Sequence, residues 1–90
     1  METKQQQLDF ILRKRPLEVL FALQMNNIKR YPASIGYEIH CSYSHISIIL
    51  KKLEGYGIIT HVVKGRIKEL HLTPKGKEFI NKFKEAVELL

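Results

Sequence analysis

The sequence has little of the material from which secreted and membrane-spanning proteins are built. Cys41 is the only cysteine and tryptophan is absent, so no disulfide can form within the chain and a disulfide-stabilised secreted scaffold is excluded. No stretch approaches the roughly 20 apolar residues of a membrane span, and the first residues lack the apolar run of a signal peptide. These absences predict a cytoplasmic protein without a membrane partner.

Catalytic and metal-binding motifs are missing as well. There is no glycine-rich phosphate loop, no His-Glu-x-x-His and no Gly-x-Ser-x-Gly, so we predict no enzyme activity, no cofactor and no obvious small-molecule ligand. A zinc site needs three or four ligands at recognisable spacing, and His40, Cys41 and His45 do not supply it. His61 and His71 are expected on two strands of one hairpin, where they can approach each other without completing a metal site.

What is present is a basic excess in the middle of the chain. The net charge is +6 over 90 residues, and 44% of the residues are hydrophobic, which predicts one folded domain over residues 1–90. Residues 40–68 carry five basic side chains against one acidic one, whereas residues 69–90 carry four of each. A basic segment beside a neutral one is typical of a polyanion-binding surface, although basic residues also serve solubility alone.

Two helices are predicted in the first third of the chain. Residues 5–14 carry apolar side chains at helical spacing. Pro16 disfavours helix at the residue before it, so we expect a break or kink at Arg15. A proline is favourable in the first turn of a new helix, and the second helix is predicted over residues 16–28.

A short helix and a longer one are predicted next, separated by a tight connection. Residues 31–33 are expected to be extended or in a turn, with room for a very short strand. Ser34 is the expected N-cap of a short helix over residues 34–40. Ser42 is expected to cap the longer helix, which runs to about Tyr56.

The longer helix has two distinct faces. Its core face is an apolar stripe at i, i+3, i+4 and i+7, formed by Ile46, Ile49, Leu50 and Leu53. A second face with the same spacing is small, polar and basic at its end, and consists of Ser44, Ser47, Ile48 and Lys51. We expect this second face to lie flush against a groove.

A two-stranded hairpin and a last helix complete the predicted order. The strands are expected at residues 58–63 and 67–72. Thr73 is a natural N-cap for the last helix, over residues 74–90, with a proline at its first position. The whole pattern predicts an α+β fold that is mainly α with a small β-hairpin.

Three segments together resemble the winged-helix regulators of the MarR, ArsR and PadR type. Residues 42–59 (SYSHISIILKKLEGYGII) resemble their recognition helix, which starts with small residues and ends at a glycine and an apolar pair that opens the wing. Residues 70–76 (LHLTPKG) resemble the Leu-Thr-x-x-Gly pattern with which the helix after the wing begins. Residues 64–66 form a basic hairpin tip between them. Cys41 stands at the turn position where these families commonly have a glycine.

The resemblance implies a winged helix-turn-helix fold and a transcriptional regulator that binds double-stranded DNA. In such proteins the recognition helix, here about residues 42–56, enters the major groove. The wing, here residues 60–72, contacts the backbone or the minor groove. The side chains placed at the DNA are Ser42, Tyr43, Ser44, His45, Ser47, Ile48, Lys51, Lys52, Lys64, Arg66 and Lys68. The residues at the start of the recognition helix are Tyr43, Ser44, His45, Ser47 and Ile48. None of these five is a bidentate base reader, so we predict modest base specificity with a contribution from DNA shape.

The two terminal helices, at residues 5–14 and 74–90, carry more apolar side chains than one small domain needs. We predict that they form the two-fold interface of a homodimer, which would bind a pseudo-palindromic site. The predicted interface residues are Leu8, Ile11, Leu12, Phe79, Phe83, Val87 and Leu90. The alternative is that part of this stripe belongs to the core of its own chain.

Two other binding functions stay open on the sequence alone. A sequence-neutral architectural DNA-binding protein fits a recognition face that is rich in serine and poor in arginine. The second alternative is a winged helix that binds another protein instead of DNA. The basic wing tip does not separate these alternatives, because hairpin tips are commonly basic simply by being solvated.

Overall fold

The computed structural model describes residues 2–25 and 29–90. Within those residues the chain forms five helices and two strands. The helices are α1 (Lys4–Ile11), α2 (Lys14–Gln24), α3 (Pro32–Glu38), α4 (Tyr43–Gly55) and α5 (Pro74–Glu88), and the strands are β1 (Ile59–Lys64) and β2 (Ile67–Leu72). The predicted α+β class, mainly helical with one hairpin, is confirmed.

The break between the first two helices lies earlier than predicted. α1 ends at Ile11 rather than at residue 14, and Arg13 is the N-cap of α2, so Arg15 is already helical. Pro16 is therefore the third residue of α2. The first N–H groups of a helix have no partner within it, so a proline in the first turn removes no intrahelical hydrogen bond.

The segment that leads into α3 also differs from the prediction. α2 ends at Gln24, and the predicted continuation over residues 26–28 lies outside the described residues. α3 begins at Pro32 with Tyr31 as its N-cap, earlier than the predicted cap Ser34, and the short strand considered for this segment does not form. The preset φ of proline favours the first turn of a helix, and this accounts for the earlier start.

The core forms where α2, α3 and α4 meet the base of the hairpin and α5. All four residues of the predicted core stripe of α4 are buried, as predicted. The largest side chains that are fully buried belong to Leu20, Ile35, Ile46, Ile49, Leu53, Ile59, Ile80 and Val19. Each such side chain contributes about 1.5–3 kcal/mol to folding through its burial. α4 is thus fixed on one side by the core, and its opposite side is exposed.

The hairpin is antiparallel and regular. Ile59 pairs with Leu72 and Lys64 pairs with Ile67, so β1 lies one residue later than predicted. Gly65 at the tip has a φ of 63°, a left-handed conformation that glycine adopts without steric cost. The amide of Leu70 donates to the carbonyl of Arg30 at 2.7 Å, which attaches β2 to the segment before α3.

Thr73 joins the two ends of the hairpin. Its hydroxyl accepts a hydrogen bond from the amide of Gly76 at 3.0 Å and donates to the carbonyl of Gly57 at 2.6 Å, which confirms it as the N-cap of α5. A Cβ on Gly76 would lie 2.0 Å from the carbonyl oxygen of Ile58, so α5 packs directly on this backbone. α5 ends at Glu88, two residues before the predicted end.

No helix in the described ranges is both long enough and apolar enough to cross a membrane.

Candidate nucleic-acid interface

The turn between α3 and α4 contains the one non-glycine residue with a positive φ among the described residues. This residue is His40, with a φ of 56°, and not Cys41, to which the family resemblance assigned the glycine-like position. The left-handed conformation costs roughly 1–2 kcal/mol for a residue with a side chain. Cys41 instead donates its amide to the carbonyl of Gly36 at 2.8 Å and packs against the core. The tight turn therefore forms without glycine.

The exposed side of α4 begins at its N-cap. Ser42 accepts a hydrogen bond from the amide of His45 at 3.3 Å, as predicted for the cap. Tyr43 is 66% exposed and Ile48 is 59% exposed. Ser44, His45 and Lys51 are exposed too, and Ser47 is half-buried. An exposed isoleucine and tyrosine on a helix that is otherwise well packed give this side an apolar as well as a polar surface.

The basic side chains predicted to contact DNA divide into two groups. Lys52 Nζ lies 3.5 Å from Glu2 Oε1 and 4.9 Å from the ring centroid of Phe10. Lys64 Nζ lies 3.1 Å from Glu69 Oε1. Three others make no ion pair with a carboxylate in the part of the chain that the structure describes. These are Lys51, Arg66 and Lys68.

The neighbours of Lys52 turn it toward α1 rather than toward the open side of α4. The hydroxyl of Tyr56 donates a hydrogen bond to the carboxylate of Glu2. Burial of the phenol and this bond raise the pKa of Tyr56 to about 12, so Tyr56 stays protonated as a donor. The ring of Tyr56 also packs edge-on against Phe10, with centroids 5.9 Å apart. Lys52 is thus part of a contact between α1 and α4.

Two adjoining depressions, together called the trough, lie beside the hairpin, against α4 and the start of α3. One part of it, about 400 Å³ in volume, is lined by Pro32, Tyr43, Ser47, Leu50, Lys51, Glu54, His61, Lys68 and Leu70. A second part, also about 400 Å³, is lined by Tyr31, Pro32, Ala33, Tyr43, Arg66, Ile67 and Lys68. Pro32, Tyr43 and Lys68 line both parts, so the two parts adjoin at these side chains. All three unpaired cations named above line it.

The histidines of the hairpin each contact a carboxylate. His61 Nδ1 hydrogen-bonds Glu54, near the end of α4, and His71 Nε2 lies 2.7 Å from Glu69 Oε1. His61 pairs with Leu70 across the sheet, so the two histidines do not face each other as considered from the sequence. Within residues 2–25 and 29–90, no group of three metal-binding side chains comes together.

Hydrogen bonds to Glu69 shift its titration. Lys64 and His71 both bond this carboxylate and hold the pKa of Glu69 below its ordinary value of 4.5. Glu69 therefore stays charged next to Lys64, which lowers the net positive charge of the wing tip.

Some residues that line the trough or are exposed elsewhere were missed by the sequence reasoning. Tyr31 and Pro32 line the trough although they precede and begin α3. Tyr37 on α3 is 84% exposed. The exposure of an aromatic side chain on a short helix carries no periodic signal, and the position of Tyr31 depends on how the hairpin folds back.

The predicted dimer residues occupy different environments. Ile11 is only 4% exposed and belongs to the core, because α1 packs its C-terminal end inward. Phe79 and Phe83 are half-buried and pack against the core. The exposed members of the set are Leu8, Leu12, Val87 and Leu90.

Solved structures share this arrangement of helices and hairpin. The DNA complex of MepR from S. aureus superposes with a TM-score of 0.79, at 20% sequence identity, over 93% of this chain and 72% of that one. The winged helix-turn-helix DNA-binding domain of Mb0332 from Mycobacterium bovis, a homodimer and a possible ArsR-family regulator, superposes with a TM-score of 0.79 at 14% identity. This second match covers 91% of this chain and 75% of that one. The chain has the winged helix-turn-helix fold. In this fold α4 is the second helix of the helix-turn-helix and the β1–β2 hairpin is the wing.

Sequence comparison adds a relative of the same size as this winged helix. An uncharacterized protein from Archaeoglobus fulgidus is 20% identical over 88 residues, which cover 94% of this chain and 93% of the relative. No protein-family model matches the sequence.

Proposed function

We propose that this winged helix binds double-stranded DNA as a transcriptional regulator, with α4 in the major groove and the wing on the backbone or in the minor groove. The observation that carries the proposal is the shared surface of α4 and the wing, on which three unpaired basic side chains meet the exposed side of α4. Proteins neutralise DNA phosphates with such side chains. A regulator of the same fold, MepR, has been solved in complex with DNA, which supports the same use of the surface here.

The N-terminal half of α4 is suited to base edges. A serine hydroxyl can donate to or accept from several bases, and an apolar side chain can contact the methyl group of thymine. Ser44 and Ile48 fit these roles, with Ser47 between them and His45 at the flank. Ser42 and the first amides of α4 can hold a phosphate. The absence of a bidentate reader from this set favours modest base specificity.

We further propose that the protein acts as a homodimer through α1 and α5. Leu8, Leu12, Val87 and Leu90 expose apolar surface on these helices, and water-exposed apolar area favours burial against a second copy. Val87 borders a shallow depression of about 380 Å³ with Phe21, Lys84 and Glu88. The homodimeric state of the Mb0332 domain supports this assembly. A two-fold dimer would bind a pseudo-palindrome with half-sites one helical turn apart.

The experiment that tests the proposal is selection from random duplex DNA at near-physiological salt, followed by sequencing. We expect a two-fold symmetric motif that is bound about 10³-fold or more above random DNA. A second candidate function is sequence-neutral architectural binding, which the lack of arginine on α4 favours, and retention without enrichment would establish it. If the protein retains no duplex DNA, both DNA-binding functions are overturned and the protein-contact role is the one that is left.

A further inference from the structure

We propose that the trough beside the wing is the path of one DNA strand, and that of the five basic side chains predicted to contact DNA only Lys51, Arg66 and Lys68 bind its phosphates. This inference rests on the proposed function and deepens it. It removes Lys52 and Lys64 from the set of DNA contacts, and it makes Tyr43 a contact to the backbone rather than to bases.

The place of the trough carries the first step. When a helix occupies the major groove and a wing reaches the neighbouring surface, the strand that separates the two grooves passes between them. In this chain the trough lies beside the wing, against α4 and the start of α3, and its two parts adjoin at Pro32, Tyr43 and Lys68. Lys51 lines one part and Arg66 lines the other. A strand in the trough therefore meets these cations in succession.

The pairing of the cations carries the second step. Lys64 lies 3.1 Å from Glu69 Oε1, and Lys52 lies 3.5 Å from Glu2 Oε1. A phosphate that took either lysine would leave a carboxylate without its partner close to the phosphate, and like charges at short range repel. The unpaired cations carry no such cost. They are Lys51, Arg66 and Lys68.

Tyr43 supplies the uncharged part of the path. It is the first residue of α4, and its exposed ring borders both parts of the trough. From that position the ring can pack on a deoxyribose while the hydroxyl donates to a phosphate. Such contacts position the protein on the duplex and carry no base information. Glu54 is the one carboxylate among the lining residues, and its charge keeps phosphates away from the Glu54–His61 contact.

Salt dependence measures the number of phosphates that cations bind. In a plot of the logarithm of the binding constant against the logarithm of the salt concentration, the line falls with a slope of about 0.9 for each neutralised phosphate. Three cations therefore predict a slope of about 2.7 per protomer. We expect Lys51→Gln, Arg66→Gln and Lys68→Gln each to lower the slope by about 0.9. Lys52→Gln, Lys64→Gln and the remote control Lys82→Gln, all matched in charge change, should leave it unchanged.

The results that would overturn the inference are specific. A wild-type slope of about 4.5 per protomer, or a loss of slope in Lys64→Gln equal to that in Arg66→Gln, would show that paired lysines also bind phosphate. If the protein binds duplex DNA but none of the three trough variants changes the salt slope, this inference is overturned and the proposed function stands. If the wild-type protein binds no duplex DNA, the proposed function fails first, so the two failures are distinguishable.

Tyr43 has a separate test. We expect Tyr43→Ala to weaken binding to the selected site and to random duplex by the same factor, with an unchanged salt slope, and Tyr43→Phe to lose only part of the affinity. Circular dichroism confirms that each variant is folded. A change of tenfold or more in the ratio of specific to random binding would identify Tyr43 as a base reader and overturn its role in the backbone path.

Discussion

The carboxylate of Glu54, in the last turn of α4, hydrogen-bonds Nδ1 of His61, the third residue of β1. α4 and the wing are therefore joined by a side-chain contact as well as by the chain between them. This contact lies in the trough, next to the cations that we assign to phosphates. We expect it to position the wing relative to the helix, and it keeps one negative charge beside the proposed DNA path.

Variants at these two positions should affect DNA affinity in opposite directions. His61→Ala removes the bond and leaves the Glu54 charge exposed, so duplex affinity should fall by roughly threefold to tenfold, the value of one hydrogen bond. Glu54→Gln retains a hydrogen-bonding side chain and removes the charge, so affinity should rise. Fluorescence anisotropy at fixed salt measures both. Equal effects in the same direction would contradict the idea that the contact positions the wing.

A methyl group at Gly76 should be poorly tolerated. Its Cβ would lie 2.0 Å from the carbonyl oxygen of Ile58, so Gly76→Ala should destabilise the protein by about 3 kcal/mol or prevent folding, as overpacking does. Gly55→Ala is the matched control, because nothing lies within 4 Å of the added Cβ and alanine favours helix by about 1 kcal/mol. Urea unfolding compares the two. A Gly76→Ala variant as stable as wild type would show that α5 can move away.

Ile48 and its neighbour Ile49 separate DNA binding from stability. Ile48 is 59% exposed and Ile49 is 2% exposed. Ile49→Ala should cost about 2–5 kcal/mol of unfolding free energy. Ile48→Ala should leave stability within about 0.5 kcal/mol and weaken binding at a thymine position of the selected site. Thermal unfolding and site competition provide the readouts. Loss of stability in Ile48→Ala would place that side chain in a folding role.

The wing tip should respond to acid. The pKa of Glu69 is below 4.5 in the folded protein because Lys64 and His71 bond the carboxylate. A carboxylate whose pKa is lower in the folded than in the unfolded protein stabilises the fold at any pH above its unfolded-state pKa. That contribution is lost as the pH falls through the folded-state pKa. We expect the amide signals of β2 to shift in NMR spectra as the pH drops below 4.5. In Glu69→Gln this transition should be absent, and its persistence would assign it to another group.

The proposed dimer depends on the exposed apolar residues of α5. Val87→Asp places a charge on that surface and should convert a dimer to a monomer in sedimentation experiments, because an unpaired charge at an interface is costly. Lys82→Asp, on the same helix, should remain dimeric. A wild-type mass near 10.5 kDa at micromolar concentration would show that the protein is a monomer and end this part of the proposal.

Local signals account for what the sequence predicted well. The core stripe of α4, the cap at Ser42 and the Thr73-Pro74 start of α5 follow from helical spacing and capping chemistry, which act within a few residues. The hairpin follows from β-branched residues on either side of a tip. These elements are where the structure agrees with the prediction to within one or two residues.

Long-range contacts account for what the sequence did not predict. Lys52 meets Glu2 only because the fold brings the N-terminal segment to α4, and Ile11 is buried because α1 joins the core. No spacing rule connects residues so far apart. The left-handed φ of the turn falls on His40 and not on Cys41, which neither residue type nor spacing predicts.

The wing leaves the helical body and returns to it at Thr73, whose hydroxyl and amide bond the carbonyls of Gly57 and Ile58. Its length can therefore change at the tip without disturbing the core. One residue added to each strand lengthens an antiparallel hairpin by about 3.4 Å, and successive nucleotides of a DNA strand rise by about 3.4 Å as well. If the wing runs along a duplex as proposed, its length sets how many base-pair steps separate the tip from α4.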